Sequence, residues 1–315
     1  MSGEFAGKVV RELGASLELR TEQTGYRGHA YRLASEAARL EYELVVIFGG
    51  DGTVNEVVNG LMYPSDGARN GVESRPALAV VPGGGGNVFA RTLGLPIGPP
   101  EAAAHIVRAV NSGASARVIG LSLAESTDLP KPRYFTFSAG LGLDAEVVAD
   151  VERARRAGQQ ASPLLYMRTA LRRYYTATDR SKPALTLHIP GQSPTAGLFM
   201  GVVTNSSPWT YLGGLPVLPV PHEGHGTDLN SGLDAFALRR MRTLTTLYAL
   251  HRMMHSDSKP PTGQDVLTMA ALPGLAFSAI RPIAFHIDGE YLGETEQVSF
   301  TFVPDALRVI ARTLS

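Results

Sequence analysis

An α/β domain followed by a mostly β domain is the fold class this sequence predicts. Three observations carry it. Up to about Gly120, short apolar runs alternate with Ala-rich helical stretches, the pattern of a doubly wound, mostly parallel sheet. Beyond Gly120, strand-like pieces dominate and Pro and Gly punctuate them, as in a mostly β domain. The 315 residues exceed the ~100–200 of one ordinary domain, so two are expected, 1–120 and 121–315, with the last residues returning to the first.

The elements follow in order. Residues 4–13 (EFAGKVVREL) predict a helix, and Ser16–Arg20 (SLELR) alternates like a strand. Gly28–Leu40 is Ala-rich and predicts a second helix. Leu44–Phe48 is a continuous apolar run with β-branched residues, the mark of a strand buried on both faces. Val54, Val57, Val58 and Leu61 recur at helical spacing. Ala77–Val81 predicts another buried strand, and 101–111 a further helix. In the second half, strands are expected at Tyr134–Ser138, Ala184–Ile189, Leu198–Thr204, Asp234–Leu238, Leu275–Ile280, Ile283–Ile287 and Val298–Val303. Helices are expected within Val148–Thr176 and Leu244–His255, and a long loop over Gly213–Gly232. A doubly wound sheet ordinarily opens with a strand, whereas this chain opens in a helix. Either the fold begins unusually or a first strand lies upstream of Met1.

Composition narrows the chemistry. Apolar residues make up 44 % and charged residues 18 %, as in ordinary globular proteins. Twenty-nine basic and 29 acidic residues give no net charge, so nothing points to nucleic acid. The absence of cysteine excludes disulfides, thiolate nucleophiles and Cys-type zinc sites, and is compatible with a reducing, cytoplasmic address. No apolar run reaches the ~18 residues of a membrane span.

Two glycine turns carry the functional signal. Leu44–Phe48 runs into Gly49-Gly50-Asp51-Gly52-Thr53, and Ala77–Val81 runs into Pro82-Gly83-Gly84-Gly85-Gly86-Asn87. A buried strand that ends in glycines and enters a helix lets backbone amides approach phosphate oxygens. Thr53 can cap the helix or donate to phosphate. Asp51 repels a bare phosphate, so Mg²⁺ binding or proton transfer would explain it; a local cap in a tight turn is the alternative. Parallel strands end on one sheet edge, so both turns should flank one crevice. Neither is a Walker A or a G-x-G-x-x-G sequence.

These motifs resemble the diacylglycerol kinase catalytic-domain family, which includes bacterial soluble lipid kinases, sphingosine kinases and ceramide kinases. "GGDGTVNEVVNGL" (49–61) and "PGGGGNVFARTLGLP" (82–96) match its two nucleotide motifs. "FSAGLGLDAEVV" (137–148), "TNSSPWTYLGG" (204–214) and "FHIDGEYLGE" (285–294) match segments further on. The resemblance implies a nucleotide domain, a C-terminal β-sandwich domain and an active site in the cleft between them. It implies ATP against Thr24, Gly49, Gly50, Asp51, Gly52, Thr53, Val54, Asn55 and Glu56, and against Gly84, Gly85, Gly86 and Asn87. It makes Asp288 and Glu290, with Asp51, the candidates for taking a proton from a lipid hydroxyl. Asp288→Asn is accordingly expected to abolish phosphorylation while sparing the fold. A structural Mg²⁺ would fall on Asp228, Ser231 and the carbonyl of Leu233.

The sequence departs from the family in places. Gly85 replaces a threonine, Val88 an aspartate and Ser231 a carboxylate. The family's opening strand is missing, so the natural start is expected upstream of Met1. The expected function is an ATP- and Mg²⁺-dependent lipid kinase acting on a diacylglycerol-like or long-chain-base lipid. It would be cytoplasmic and peripherally associated with a membrane surface, with a homodimer as a compatible assembly. The alternatives are an NAD kinase-like enzyme and a degenerate, non-catalytic nucleotide- or lipid-binding protein.

Other features have weaker alternatives beside them. The arginines of 151–182 form either a lipid-docking face or a solvated one. His222 with His225, and His251 with His255, read as surface histidines. Trp209 and Tyr211 would line an acyl channel or pack in a core.

Overall fold

The computed structural model describes residues 3–64, 71–113, 116–159, 162–176, 182–220, 229–255, 261 and 263–312. The chain divides into two compact units, Met1–Gly120 with Pro304–Ser315, and Leu121–Val303.

The first unit contains α1 (Gly3–Gly14), α2 (His29–Arg39), β1 (Leu44–Gly49), α3 (Asp51–Met62), β2 (Ala77–Pro82), α4 (Val88–Thr92) and α5 (Pro99–Asn111). Strands β1 and β2 run parallel in the register Leu44↔Ala77 to Gly49↔Pro82. Val309 pairs in parallel with Leu78, and the amide of Ile310 donates to the Leu78 carbonyl at 2.8 Å. The chain terminus thus closes the sheet beside β2. All six β2 positions are buried, as a continuous apolar run requires when both faces are covered. On one face, Ala79 and Val81 meet Val9 and Leu13 of α1 and Ala103 and Ile106 of α5. Helices α2 and α3 cross at Gly60, where a Cβ would sit 2.8 Å from the Ala34 methyl, so the crossing needs glycine.

Ser16–Arg20 forms no strand, contrary to its alternation. Leu17 and Leu19 turn toward the α1–α5 core instead. Among the described residues no strand pairs with the segment, and alternation without a ladder partner fixes nothing.

The second unit opens in β3 (Arg117–Glu125), whose residues Ser122–Ala124 pair with β4 (Arg133–Phe135). Then come β5 (Ser138–Gly142), α6 (Leu143–Arg156), α7 (Pro163–Thr176), β6 (Leu185–His188), β7 (Thr195–Leu198) and β8 (Met200–Thr204). A small hairpin, β9 (Thr210–Leu212) and β10 (Leu215–Val217), precedes β11 (Leu233–Leu238) and α8 (Thr243–Met253). Strands β12 (Val266–Leu272), β13 (Gly274–Ile287) and β14 (Glu290–Val309) follow, and β14 from Pro304 onward belongs to the first unit. The expected strands at 275–280 and 283–287 are one strand, β13, with an irregularity between Ser278 and Ile283. There β13 changes partner, from β6 at residues 276–279 to β5 at 285–287. This switch lets the strands wrap one core, with Phe135, Phe277, Phe285 and Phe300 among its fully buried side chains. The outer face of β8 and β11 is covered by α6, α7 and α8 around Met200, Val202, Phe236 and Leu238. Trp209 packs against this second cluster as a partly buried residue. Much of the expected long loop, 221–228, lies outside the described residues, as do His222 and His225. His251 and His255 are exposed neighbours on α8 and just beyond it, with ring centroids 4.1 Å apart.

Candidate active site

The parallel register brings the two glycine turns together. Gly49 pairs with Pro82, so the chain leaves β1 and β2 at the same sheet edge. The Gly83 amide donates to the Gly49 carbonyl at 2.8 Å. A Cβ on Gly83 would lie 2.9 Å from Gly49 Cα, and one on Gly84 2.7 Å from Gly50 Cα. Backbone cannot yield at such distances. The glycines at 83 and 84 therefore exist first because the two turns press on each other. Gly52 differs: nothing lies within 4 Å of its would-be Cβ.

The polar groups on these turns have distinct tasks. Asp51 is the first residue of α3, and its Oδ1 accepts the Phe89 amide at 3.3 Å, tying one turn to the helix that follows the other. Its Oδ2 faces Gly86, 3.0 Å from where a Cβ would stand. Gly50, the residue before α3, makes no side-chain cap, so no side chain of that residue occupies the amides at the helix start. Asn87 adopts a left-handed conformation (φ 50°). Its side chain closes the loop on itself, accepting from the Gly84 amide at 2.8 Å and donating to the Gly84 carbonyl at 2.9 Å. Gly84, Gly85 and Gly86 are exposed.

Several residues expected to face a nucleotide point elsewhere. Val54 and Asn55 are 1 % exposed, and the Asn55 side chain meets Asn59 Nδ2 inside α3. Any contact from these two with a nucleotide would be through backbone. Glu56 accepts the amides of Gly28 at 2.8 Å and Ala30 at 3.2 Å, so it fastens the start of α2. Thr24 is exposed in an irregular stretch ahead of α2.

In the second unit, the Asp-Gly pair forms the turn between β13 and β14. Asp288 and Gly289 both have positive φ, 46° and 73°, as a type I′ turn requires. Asp288 is 4 % exposed. Its carboxylate accepts the Thr136 amide at 2.8 Å, the Thr136 hydroxyl at 2.9 Å, and the amides of Phe137 and Ser138 at 3.0 and 3.1 Å. A carboxylate has about four acceptor sites, and these donors fill that capacity. Asp288 therefore anchors the turn to the chain entering β5. Glu290 is paired with Arg133, both largely buried.

Behind the turn, His286 is 2 % exposed and its Nε2 lies 2.6 Å from Asp144 Oδ2 on α6. Gly140 lies across from His286 on β5, and a Cβ there would fall 2.5 Å from His286 Nε2. The glycine makes room for the pair. Sequence reasoning missed this pair, because its members lie 142 positions apart. Nearby, burial and then the Glu294 carboxylate raise the Tyr291 hydroxyl above its ordinary pKa.

Among the described residues, no group of three His, Asp or Glu side chains could hold a metal ion. Of the expected structural Mg²⁺ ligands, Asp228 lies outside the described residues, Ser231 is half-buried and Leu233 begins β11, fully buried.

Comparison with known proteins agrees with this geometry. Residues 2–116 match the family described as diacylglycerol kinase catalytic domain. That stretch carries both glycine turns. In particular, the chain is 45 % identical over 82 residues to "Diacylglycerol kinase" of Bacillus subtilis, and 46 % identical over 99 residues to "Probable lipid kinase YegS-like" of Chromohalobacter salexigens. The aligned stretches cover 26 % and 31 % of this chain, and 24 % and 29 % of those relatives' own lengths. A crystal structure of a diacylglycerol kinase from Bacillus anthracis covers 99 % of this chain and 92 % of its own, with a TM-score of 0.67 at 20 % identity. At that identity the likeness establishes the fold, an α/β unit with a β-rich unit.

Proposed function

We propose that this protein is an ATP-dependent lipid kinase that phosphorylates a hydroxyl of a diacylglycerol-like or long-chain-base lipid. The observation that carries the reading is the contact between the two glycine turns, Gly83–Gly84 against Gly49–Gly50, within the stretch that matches the kinase family. Together they form a shelf of bare backbone beside the uncapped start of α3. A triphosphate resting there would accept amide hydrogen bonds and lie at the positive end of the helix dipole. Most of the rate enhancement in phosphoryl transfer is positioning and charge neutralisation, which such a shelf supplies.

Mg²⁺ fits this arrangement. It binds through one or two carboxylates plus phosphate and water oxygens, and Asp51 carries the carboxylate nearest both turns. When bound, Mg²⁺ neutralises charge on the phosphates. The lipid hydroxyl oxygen forms a bond to the γ-phosphorus, the bond to the ADP oxygen breaks, and the hydroxyl proton passes to a carboxylate. Asp51 and Glu290 are the proposed acceptors. Asp288, with its acceptor sites filled, is proposed to hold the turn that presents Glu290.

The test is transfer of labelled phosphate from ATP to lipids in mixed vesicles containing dioleoylglycerol or a long-chain base, with NAD as a soluble competitor. Labelled lipid that disappears in Asp51→Asn supports the reading. Labelled NAD with no labelled lipid, or ATP binding with no turnover on either, overturns it.

A further inference from the structure

We propose that Arg133 is a positioning residue for phosphate transfer, acting through Glu290. The inference rests on the lipid-kinase reading, in which Glu290 is an acceptor of the hydroxyl proton, and it assigns a residue that reading leaves without a task. The segment Arg133–Ser138 grips the Asp-Gly turn from both of its ends. Its later residues, Thr136, Phe137 and Ser138, donate to the Asp288 carboxylate at 2.8–3.1 Å. Its first residue, Arg133, donates from Nη2 to Glu290 Oε2. The two grips act on different things. The bonds to Asp288 fix the backbone of the turn. Glu290 follows that turn as the first residue of β14, opposite Ile287. A glutamate side chain is long and flexible, and a fixed backbone still leaves it several rotamers. A partner at the carboxylate restrains it along its whole length.

An ion pair that serves stability alone explains this arrangement less well. The side chains of Arg133 and Glu290 are only 20 % and 15 % exposed. Replacing such a buried pair by apolar side chains of similar volume is often neutral or stabilising, so stability is a weak reason to keep one. The turn already has its anchor in Asp288. Arg133 starts β4, a short strand that pairs with β3. The planar guanidinium is pre-organised, and it loses less rotamer freedom per hydrogen bond than the ammonium of a lysine. It therefore holds the carboxylate in one orientation, as a proton acceptor in a near-attack geometry requires. A guanidinium also carries no acceptor and stays protonated, so Arg133 does not compete for the substrate proton. No bond forms or breaks at Arg133 itself.

The experiment is steady-state transfer of labelled phosphate from ATP to dioleoylglycerol and to a long-chain base, by the full chain, Arg133→Gln, Glu290→Gln and the double variant. Arg133→Gln should lower kcat about 10- to 100-fold and leave the KM for ATP unchanged. Glu290→Gln should lower kcat about 100-fold or more. Because Arg133 acts through Glu290, the double variant should be no slower than Glu290→Gln alone. Thermal unfolding of the same proteins separates lost fold from lost function. If Arg133→Gln melts below the assay temperature, Arg133→Lys replaces it; the charge stays, the planar fork goes, and the same non-additivity is expected. Wild-type kcat in a folded Arg133 variant overturns the proposal, as does wild-type kcat in Glu290→Gln. So do losses at the two positions that multiply in the double variant, and so does a raised KM for ATP at unchanged kcat. In each of those cases transfer by the wild type leaves the kinase reading standing. A wild type that transfers phosphate to neither lipid removes that reading and this proposal with it.

Discussion

Asp288 occupies the turn that the sequence marks as chemical, yet its surroundings are those of an anchor. Four donors reach its two carboxylate oxygens, and three are backbone amides that would otherwise be buried without partners. Asp288→Asn replaces one oxygen by an NH₂ group that faces donors. Hydrogen bonds to a charged group contribute ~1.5–3 kcal/mol, and buried amides left unmatched add to the loss. The variant should therefore unfold at lower urea, by about 2–4 kcal/mol. That differs from the expectation that it would lose activity and keep its fold. An Asp288→Asn protein as stable as wild type would show that these bonds do not hold the turn. Gly140 is a similar case. Read along the chain it is one more glycine in "SAGLGL", and only the His286–Asp144 pair opposite it explains the missing side chain.

At the scale of elements, α7 is held to α6 by the Arg173–Asp150 pair, with a second bond from Arg173 to Asp150 Oδ1 at 2.8 Å. The Arg173 bond is the main reason the Asp150 carboxyl titrates below its ordinary value. A carboxyl whose folded-state pKa is depressed contributes stability that is fully present above its unfolded value of ~3.9. The contribution is lost as pH falls through the lower folded-state value. Asp150→Asn should therefore destabilise the chain at neutral pH by up to about 1 kcal/mol. The gap from wild type should close in acid, below the ordinary carboxylate range. Stability curves against pH check this, and a gap that widens in acid would contradict it. Other elements were legible in advance for plain reasons. Leu44–Phe48 and Ala77–Val81 are continuous apolar runs that only a doubly covered strand accommodates. Ser16–Arg20 was misleading because alternation describes a face, and a strand also needs a neighbour to bond. The merger of two expected strands into β13 depends on a change of partner from β6 to β5, which no local pattern encodes.

For the whole molecule, two turns distant in sequence meet at one sheet edge, and their proposed task is to form one phosphate shelf. Read along the sequence, their glycines point to a ligand. The structure divides them by cause. Gly83 and Gly84 are bare because the turns touch, which sequence could not reveal, since the contact is tertiary. No heavy atom lies within 4 Å of a Cβ placed on Gly52, so packing does not require glycine there, whereas the proposed phosphate would. That makes Gly52→Ala the most direct test. Alanine at a helical position should hold or raise stability, by up to ~1 kcal/mol. Its methyl group would intrude where phosphate oxygens are proposed to approach. The decisive measurement is ATP affinity of the Gly52→Ala chain by titration calorimetry, with thermal unfolding as the control. A phosphate shelf at these turns predicts an unchanged or higher melting temperature and ATP binding weakened at least ~10-fold, about 1.4 kcal/mol. Wild-type ATP affinity in that variant would contradict it.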